Sequence, residues 1–157
     1  MSDKYTSQGT PASDPDWLSA ALAGIISVIV VGAIVWIGFN PDIITVSIPS
    51  PFGISGALAG WTLLVVIGLV VGLAYATLNT ISVISAWAST ARTGTITGLI
   101  FGILLWVLAI LVVPFLVGDG IESIGDYAVS VEGFLGYALL GVLIGFLYLL
   151  IPIIRAR

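Results

Sequence analysis

The side chains best suited to chemistry in this sequence are four acids grouped between two long apolar stretches. They are Asp119, Glu122, Asp126 and Glu132. Carboxylate oxygens can hold Ca²⁺ or Mg²⁺, and a pair of carboxylates can catalyse acid–base hydrolysis. The spacing of these acids does not match an EF-hand loop, and acids on loops normally face water. We therefore expect solvated surface charge here, with neither a metal nor a catalytic site.

A second pattern combines glycine with tyrosine. The stretch Gly68–Tyr75 reads GLVVGLAY, and Gly141–Tyr148, seventy-three residues later, reads GVLIGFLY. Glycines four residues apart share one helix face and let a neighbouring backbone approach closely. The alternative is that the glycines open a channel in which the tyrosines bind a ligand. We favour packing, because small-residue faces are the usual contacts between membrane helices.

Small-residue rows of this kind occur throughout the chain. The predicted packing residues are Gly56, Gly60, Gly68, Gly72, Gly94, Gly98, Gly102, Gly141 and Gly145. The first apolar stretch offers Ala20 and Gly24 at the same spacing. The shift of seventy-three residues also relates Pro41 to Pro114, so duplication of a two-helix hairpin is one origin that the sequence allows.

Aromatic residues lie near the ends of the apolar stretches. Such rings are well accommodated at the level of the lipid headgroups. The predicted interface anchors are Trp17, Tyr75, Trp87 and Tyr148.

The composition excludes several classes of site. The chain has no cysteine and no histidine, and its only methionine is Met1, so the usual ligands of haem, copper, zinc and iron–sulfur clusters are missing. Serine, threonine and tyrosine lack a base that would activate them. We therefore expect no cofactor and no enzyme activity. Four basic residues against eight acidic ones also make nucleic-acid binding unexpected.

Hydrophobicity dominates the rest of the sequence. Of the 157 residues, 59% are hydrophobic and 8% are charged, whereas soluble domains carry about 25% charged residues. At ~20 residues per crossing, four stretches can span a bilayer as helices: residues 17–39, 54–78, 94–117 and 133–154. The prediction is an all-α membrane protein with one four-helix transmembrane domain, residues 17–157, after a disordered polar tail, residues 1–16.

The basic residues predict the orientation of the chain. Lys4, Arg92, Arg155 and Arg157 all fall on one side if the chain crosses four times. The positive-inside rule places that side, with both termini, in the cytoplasm. The charged residues predicted for the opposite side are all acidic. We expect residues 40–51 there to be extended or to form a short edge strand, and residues 118–133 to contain a short surface helix.

In its four spans, its acidic loops and stretches such as Gly98–Gly118, GLIFGILLWVLAILVVPFLVG, the chain resembles small four-span membrane proteins of halophilic archaea. The resemblance is one of composition and implies no functional residue.

These observations favour a non-enzymatic, multi-pass protein of the cell membrane with a structural or accessory role. We expect it to pack through its small-residue helix faces, either as a homo-oligomer or within a larger membrane complex. The alternative is a small channel or facilitator for an uncharged solute. An ion-coupled carrier is disfavoured, because the spans contain no Asp, Glu, Lys or Arg. An enzyme that uses the four loop acids is a distant third hypothesis.

Overall fold

The computed structural model describes residues 15–81, 83–84, 90–117 and 130–156, with the backbone alone for residues 112–117. Four long helices account for most of this range. Their bounds are Trp17–Gly38 for α1, Ala57–Leu78 for α2, Ala91–Val117 for α3 and Val131–Arg155 for α4. Each helix is long and apolar enough to cross a membrane, α3 over its part Ala91–Leu111. The predicted all-α fold with four spans is confirmed.

Polar residues just before the apolar stretches determine where the helices begin. The Asp16 carboxylate caps α1 by accepting a hydrogen bond of 3.0 Å from the backbone N–H of Ser19. The Ser130 hydroxyl caps α4 by accepting from the N–H of Gly133 at 3.0 Å. Such caps satisfy backbone donors that have no partner in the first helical turn. The Thr90 hydroxyl accepts from the N–H of Thr93 at 3.3 Å, and α3 accordingly begins at Ala91, ahead of the predicted start of that span.

The helices pack as two hairpins. Helix α1 lies antiparallel to α2, α3 lies against α4, and the hairpins join where α1 packs on α4. Helices α1 and α4 therefore form the middle of the bundle, with α2 and α3 on its flanks. Helices that are consecutive along the chain are often neighbours in space, as α1 and α2 are here and as α3 and α4 are.

The start of α1 and the end of α4 lie at the same end of the bundle. An Arg155 guanidinium nitrogen is 3.5 Å from a carboxylate oxygen of Asp16, and the Tyr75 hydroxyl reaches the carbonyl oxygen of Gly94. Arg92, in the first turn of α3, is at this end too. We call it the basic end, and we call the opposite end, where α1 finishes and α2 and α4 start, the loop end.

The segment between α1 and α2 is helical, and the prediction of an extended segment or edge strand is wrong. It forms a π-helical turn, Ile43–Ser47, and a 3₁₀ turn, Ser50–Phe52. The Asn40 side chain opens this segment by accepting from the N–H of Asp42 at 2.9 Å. Within Ile43–Ser47 the buried residues are Ile44 and Ser47. This spacing of three is typical of a helical face and not of the two-residue period of a strand.

The outward faces of the helices are apolar. Large side chains such as Ile26, Val70, Leu104 and Phe146 are exposed along all four helices. Exposed surfaces of this kind are suited to hydrocarbon surroundings, where helices satisfy their own backbone polar groups. The fold is that of an integral membrane protein.

Candidate functional site

The interface between α1 and α2 is built on backbone contact at glycines. A Cβ atom on Gly24 would lie 2.8 Å from the Cα of Gly72 and closer still to the carbonyl oxygen of Gly68. A Cβ on Gly68 would lie 2.8 Å from the carbonyl oxygen of Gly24, and one on Gly72 would strike the carbonyl of Ala20. Real side chains do not tolerate such distances, so the two helices can meet this closely only because these positions are glycine.

The interface between α3 and α4 is built in the same way. A Cβ on Gly98 would lie 2.8 Å from the Cα of Gly145, and one on Gly141 would lie 2.7 Å from the Cα of Gly102. A Cβ on Gly145 would strike the carbonyl of Gly94, itself buried. Each hairpin therefore contains a segment in which its two helices meet through glycine-to-glycine contact.

The two interfaces correspond contact by contact. Gly24 meets the Gly68 carbonyl and the Gly72 Cα, just as Gly98 meets the Gly141 carbonyl and the Gly145 Cα. The equivalent residues are seventy-three positions apart in the second helix of each hairpin and seventy-four apart in the first, where Gly24 corresponds to Gly98. A one-residue difference in hairpin length explains why one constant shift does not align all the packing glycines.

Two other predicted packing glycines have different surroundings. Gly60 is buried against the π-helical turn, where its Cβ would strike the Ile44 carbonyl. Gly56 is not a packing residue, because nothing lies within 4 Å of its Cβ position. It precedes α2 with a φ of 109°, a backbone conformation that favours glycine, so the loop geometry explains this residue. Gly32 was not predicted as a packing residue, although a Cβ atom there would lie 3.0 Å from the Trp61 ring.

The expectation that Tyr75 anchors the protein in the headgroup region is wrong. Only 1% of Tyr75 is exposed, and it is the largest fully buried side chain in the described part of the chain. Its ring centroid lies 5.3 Å from that of Phe101 and 5.6 Å from that of Tyr148. Its hydroxyl donates to the carbonyl oxygen of Gly94 at 3.3 Å. This bond lets a polar side chain sit inside the bundle.

The remaining predicted residues are dispersed. Trp17 is 47% exposed at the start of α1, and Tyr148 is partly buried against Tyr75. Trp87 lies outside the described residues, as do three of the four loop acids: Asp119, Glu122 and Asp126. Glu132 is exposed in the first turn of α4. Among the residues that the structure describes, no three acids lie close enough together to hold a metal ion.

An apolar cavity of about 270 Å³ lies in the loop-end half of the bundle. It is lined by residues of α1 between Val28 and Val35, of the π-helical turn, of α2, and of α4 between Gly133 and Leu140. The only polar side chains in its lining are Ser47 and Tyr137. Sequence reasoning missed this cavity, because its walls are aliphatic residues like those on every other helix face.

Comparison with known proteins supplies no template for this arrangement. No family model, no curated protein and no solved structure matches the chain. The chemistry of the site must therefore be inferred from its own residues, which offer close apolar packing and an apolar cavity.

The ionisation of Asp16, which lies at the basic end just before α1, is clearly altered. Hydrogen bonds from the hydroxyl and then the backbone N–H of Ser19, helped weakly by the Arg155 charge, hold the pKa of Asp16 below its usual value. Partial burial opposes this shift. The Asp16–Arg155 pair is 38% and 48% exposed, so its ionic contribution to stability is small.

Proposed function

We propose that this chain is a non-enzymatic integral membrane protein with a structural or accessory role, working as a homo-oligomer or within a larger membrane complex. Its composition supports this role, because the chain has neither histidine nor cysteine and its apolar stretches contain no Asp, Glu, Lys or Arg. Enzymes and ion-coupled carriers normally require such groups.

One structural observation supports the proposal and also changes the surface on which we expect a partner to bind. The glycine rows that could have bound another protein are occupied by this chain's own helices. A partner must therefore contact the outer faces of the bundle. The flanking helices supply the most available surface, since 17% of the spanning window of α2 and 22% of that of α3 are buried, compared with 39% for α1.

The alternative function, a small channel for an uncharged solute, is favoured by one feature, the cavity in the loop-end half of the bundle. The contacts towards the basic end weigh against a pathway through a single copy. There Tyr75, Phe101 and Ile144 form part of the buried core. A solute would have to displace these side chains in order to cross.

Purification from native membranes in a mild detergent, followed by mass spectrometry, tests the accessory function. We expect a specific partner, or a homo-oligomer that survives in detergent. Recovery of a lone monomer, together with a deletion strain that loses no membrane complex, would contradict the proposal. Liposomes that contain the folded protein test the alternative, because flux of small uncharged solutes above that of empty liposomes would favour a channel.

Bulky substitutions can then locate the contact surface. Val66 and Val70 are exposed on α2, and Ile100 and Leu104 are exposed on α3. Replacing either pair with tryptophan should leave the isolated bundle intact, because these side chains point away from it. We expect the tryptophan substitutions on the flank that the partner covers to reduce co-purification of the partner. The substitutions on the other flank serve as the control.

A further inference from the structure

The cavity in the loop-end half of the bundle has the properties of a lipid-binding site. We propose that it holds one hydrocarbon chain of a membrane lipid, drawn from the leaflet at the loop end. This inference rests on the membrane placement of the helices and not on the accessory role. Either proposal can therefore fail without the other.

The lining matches a hydrocarbon ligand and little else. Val28, Val35, Ile44 and Leu140 are buried apolar residues that face this space. Polar ligands need several well-placed hydrogen-bonding groups in a pocket, and charged ligands need a counter-charge. The lining contains no charged residue and only two hydroxyl groups. An acyl or isoprenoid chain makes no such demand.

The dimensions correspond to part of one lipid. Val28 and Val35 are seven residues apart on α1, so the cavity extends ~10 Å along the helix at ~1.5 Å per residue. One leaflet contributes ~15 Å to the hydrocarbon core of a bilayer. The volume of about 270 Å³ is below the ~300–1,000 Å³ of pockets that enclose whole small molecules. We infer that the chain enters the cavity while the headgroup stays at the membrane surface.

A lipid chain can enter from the side. Helices α2 and α4 both pack on α1, but they meet each other mainly at the basic end, where the Tyr75 and Tyr148 rings are in contact. The cavity lies in the gap between them, which faces the hydrocarbon of the bilayer. A void between these walls would forfeit dispersion contacts, and a hydrocarbon chain restores them without exposing any apolar surface to water.

Photocrosslinking in vesicles tests the proposal. The full chain is reconstituted in phosphatidylcholine vesicles in which a fraction of the lipid carries a diazirine on one acyl chain. After illumination, mass spectrometry maps the labelled residues. We expect labels on the inward-facing residues Val35, Leu64 and Leu140 at a level at least equal to that on the exposed Leu104. Labels confined to exposed side chains would overturn the proposal.

A matched pair of variants separates the cavity from the general lipid surface. Val31 lines the cavity, whereas its neighbour Val30 is 39% exposed and does not line it. Val31→Phe should fill the space and reduce cavity labelling several-fold, and Val30→Phe should leave it unchanged. Equal labelling in the two variants would contradict the proposal.

A second pair of variants, on the π-helical turn and the residue after it, covers the case in which Val31→Phe does not fold. Ile48 lines the cavity, and Val46 is 50% exposed outside it. Ile48→Trp should reduce cavity labelling, and Val46→Trp should not. Native mass spectrometry gives an independent measurement, since a retained phosphatidylcholine molecule should be lost in the two filling variants and kept in both controls.

Discussion

The hydroxyl of Tyr75 donates a hydrogen bond to the backbone carbonyl oxygen of Gly94 over 3.3 Å, which links α2 to α3. Apart from the contacts of Tyr75, these two helices hardly touch, because each packs chiefly on the other helix of its own hairpin. The Tyr75 ring also contacts the Phe101 ring at a tilt and the Tyr148 ring in an edge-to-face arrangement. One side chain from the first hairpin thus joins both helices of the second.

Removing the Tyr75 hydroxyl should weaken this link. Tyr75→Phe keeps the ring contacts but leaves the Gly94 carbonyl without this donor, and we expect a loss of about 1 kcal/mol in the free energy of unfolding. Tyr75→Leu removes the ring contacts as well and should cost about 1 kcal/mol more. Denaturant unfolding in detergent measures both changes. If Tyr75→Phe unfolds at the wild-type denaturant concentration, the link contributes nothing to stability.

The equivalent glycines of the two hairpins should respond alike to substitution. Gly24→Ala and Gly98→Ala each force a methyl group against the partner backbone, so we expect each to destabilise by about 1–3 kcal/mol. Gly38→Ala is the matched control at the end of α1, because nothing lies within 4 Å of its Cβ position. Alanine is the better helix former, so the control should lose no stability, and a control as destabilised as the two test variants would show that interhelical contact does not determine the result.

The cap of α1 should be sensitive to acid. Its hydrogen bonds hold the folded-state pKa of Asp16 below its usual value of 3.8, so ionised Asp16 stabilises the fold above that pH. This stabilisation is lost as the pH falls through the lowered pKa. Asp16→Asn keeps a side chain that can cap the helix but removes the charge. We expect the stability difference between wild type and Asp16→Asn to be constant above about pH 5 and to shrink below about pH 4.

Ser19→Ala provides the control for the cause of this shift. The Ser19 hydroxyl lies 2.6 Å from the Asp16 carboxylate and is the largest cause of the lowered pKa. Without it, the pKa of Asp16 should move back towards its usual value, so the acid-dependent loss of stability should be smaller and should be complete at a higher pH. An unchanged transition would mean that another group governs the acid sensitivity.

The positions of the helices could be predicted from the sequence, because span length and apolarity follow directly from the bilayer. The predicted first span, residues 17–39, and the observed helix Trp17–Gly38 differ by one residue. The third helix starts early at Ala91, since Thr90 and Thr93 bond to each other outside the apolar stretch. Hydropathy carries no information on such local polar contacts.

The pairing of helices and the depth of individual side chains could not be predicted in this way. Every span carries small residues, so the sequence does not reveal that Gly24 meets Gly68 while Gly60 meets the π-helical turn. Tyr75 has the position expected of a headgroup anchor but lies inside the bundle. The match of Pro41 with Pro114 in the sequence has no structural equivalent, because Pro41 follows α1 whereas Pro114 lies within α3. Duplication of the hairpin stays a prediction that the equivalent glycine contacts favour.

We predict that the four helices cross the membrane with the basic end in the cytoplasm. Because the chain has no cysteine, single-cysteine variants can test it by labelling with a membrane-impermeant maleimide. Ala156 is exposed at the basic end and Ser55 is exposed at the loop end. We expect that Ser55→Cys is labelled on intact cells and that Ala156→Cys is labelled only after the membrane is opened. Labelling of both variants on intact cells, or of Ala156→Cys alone, would contradict it.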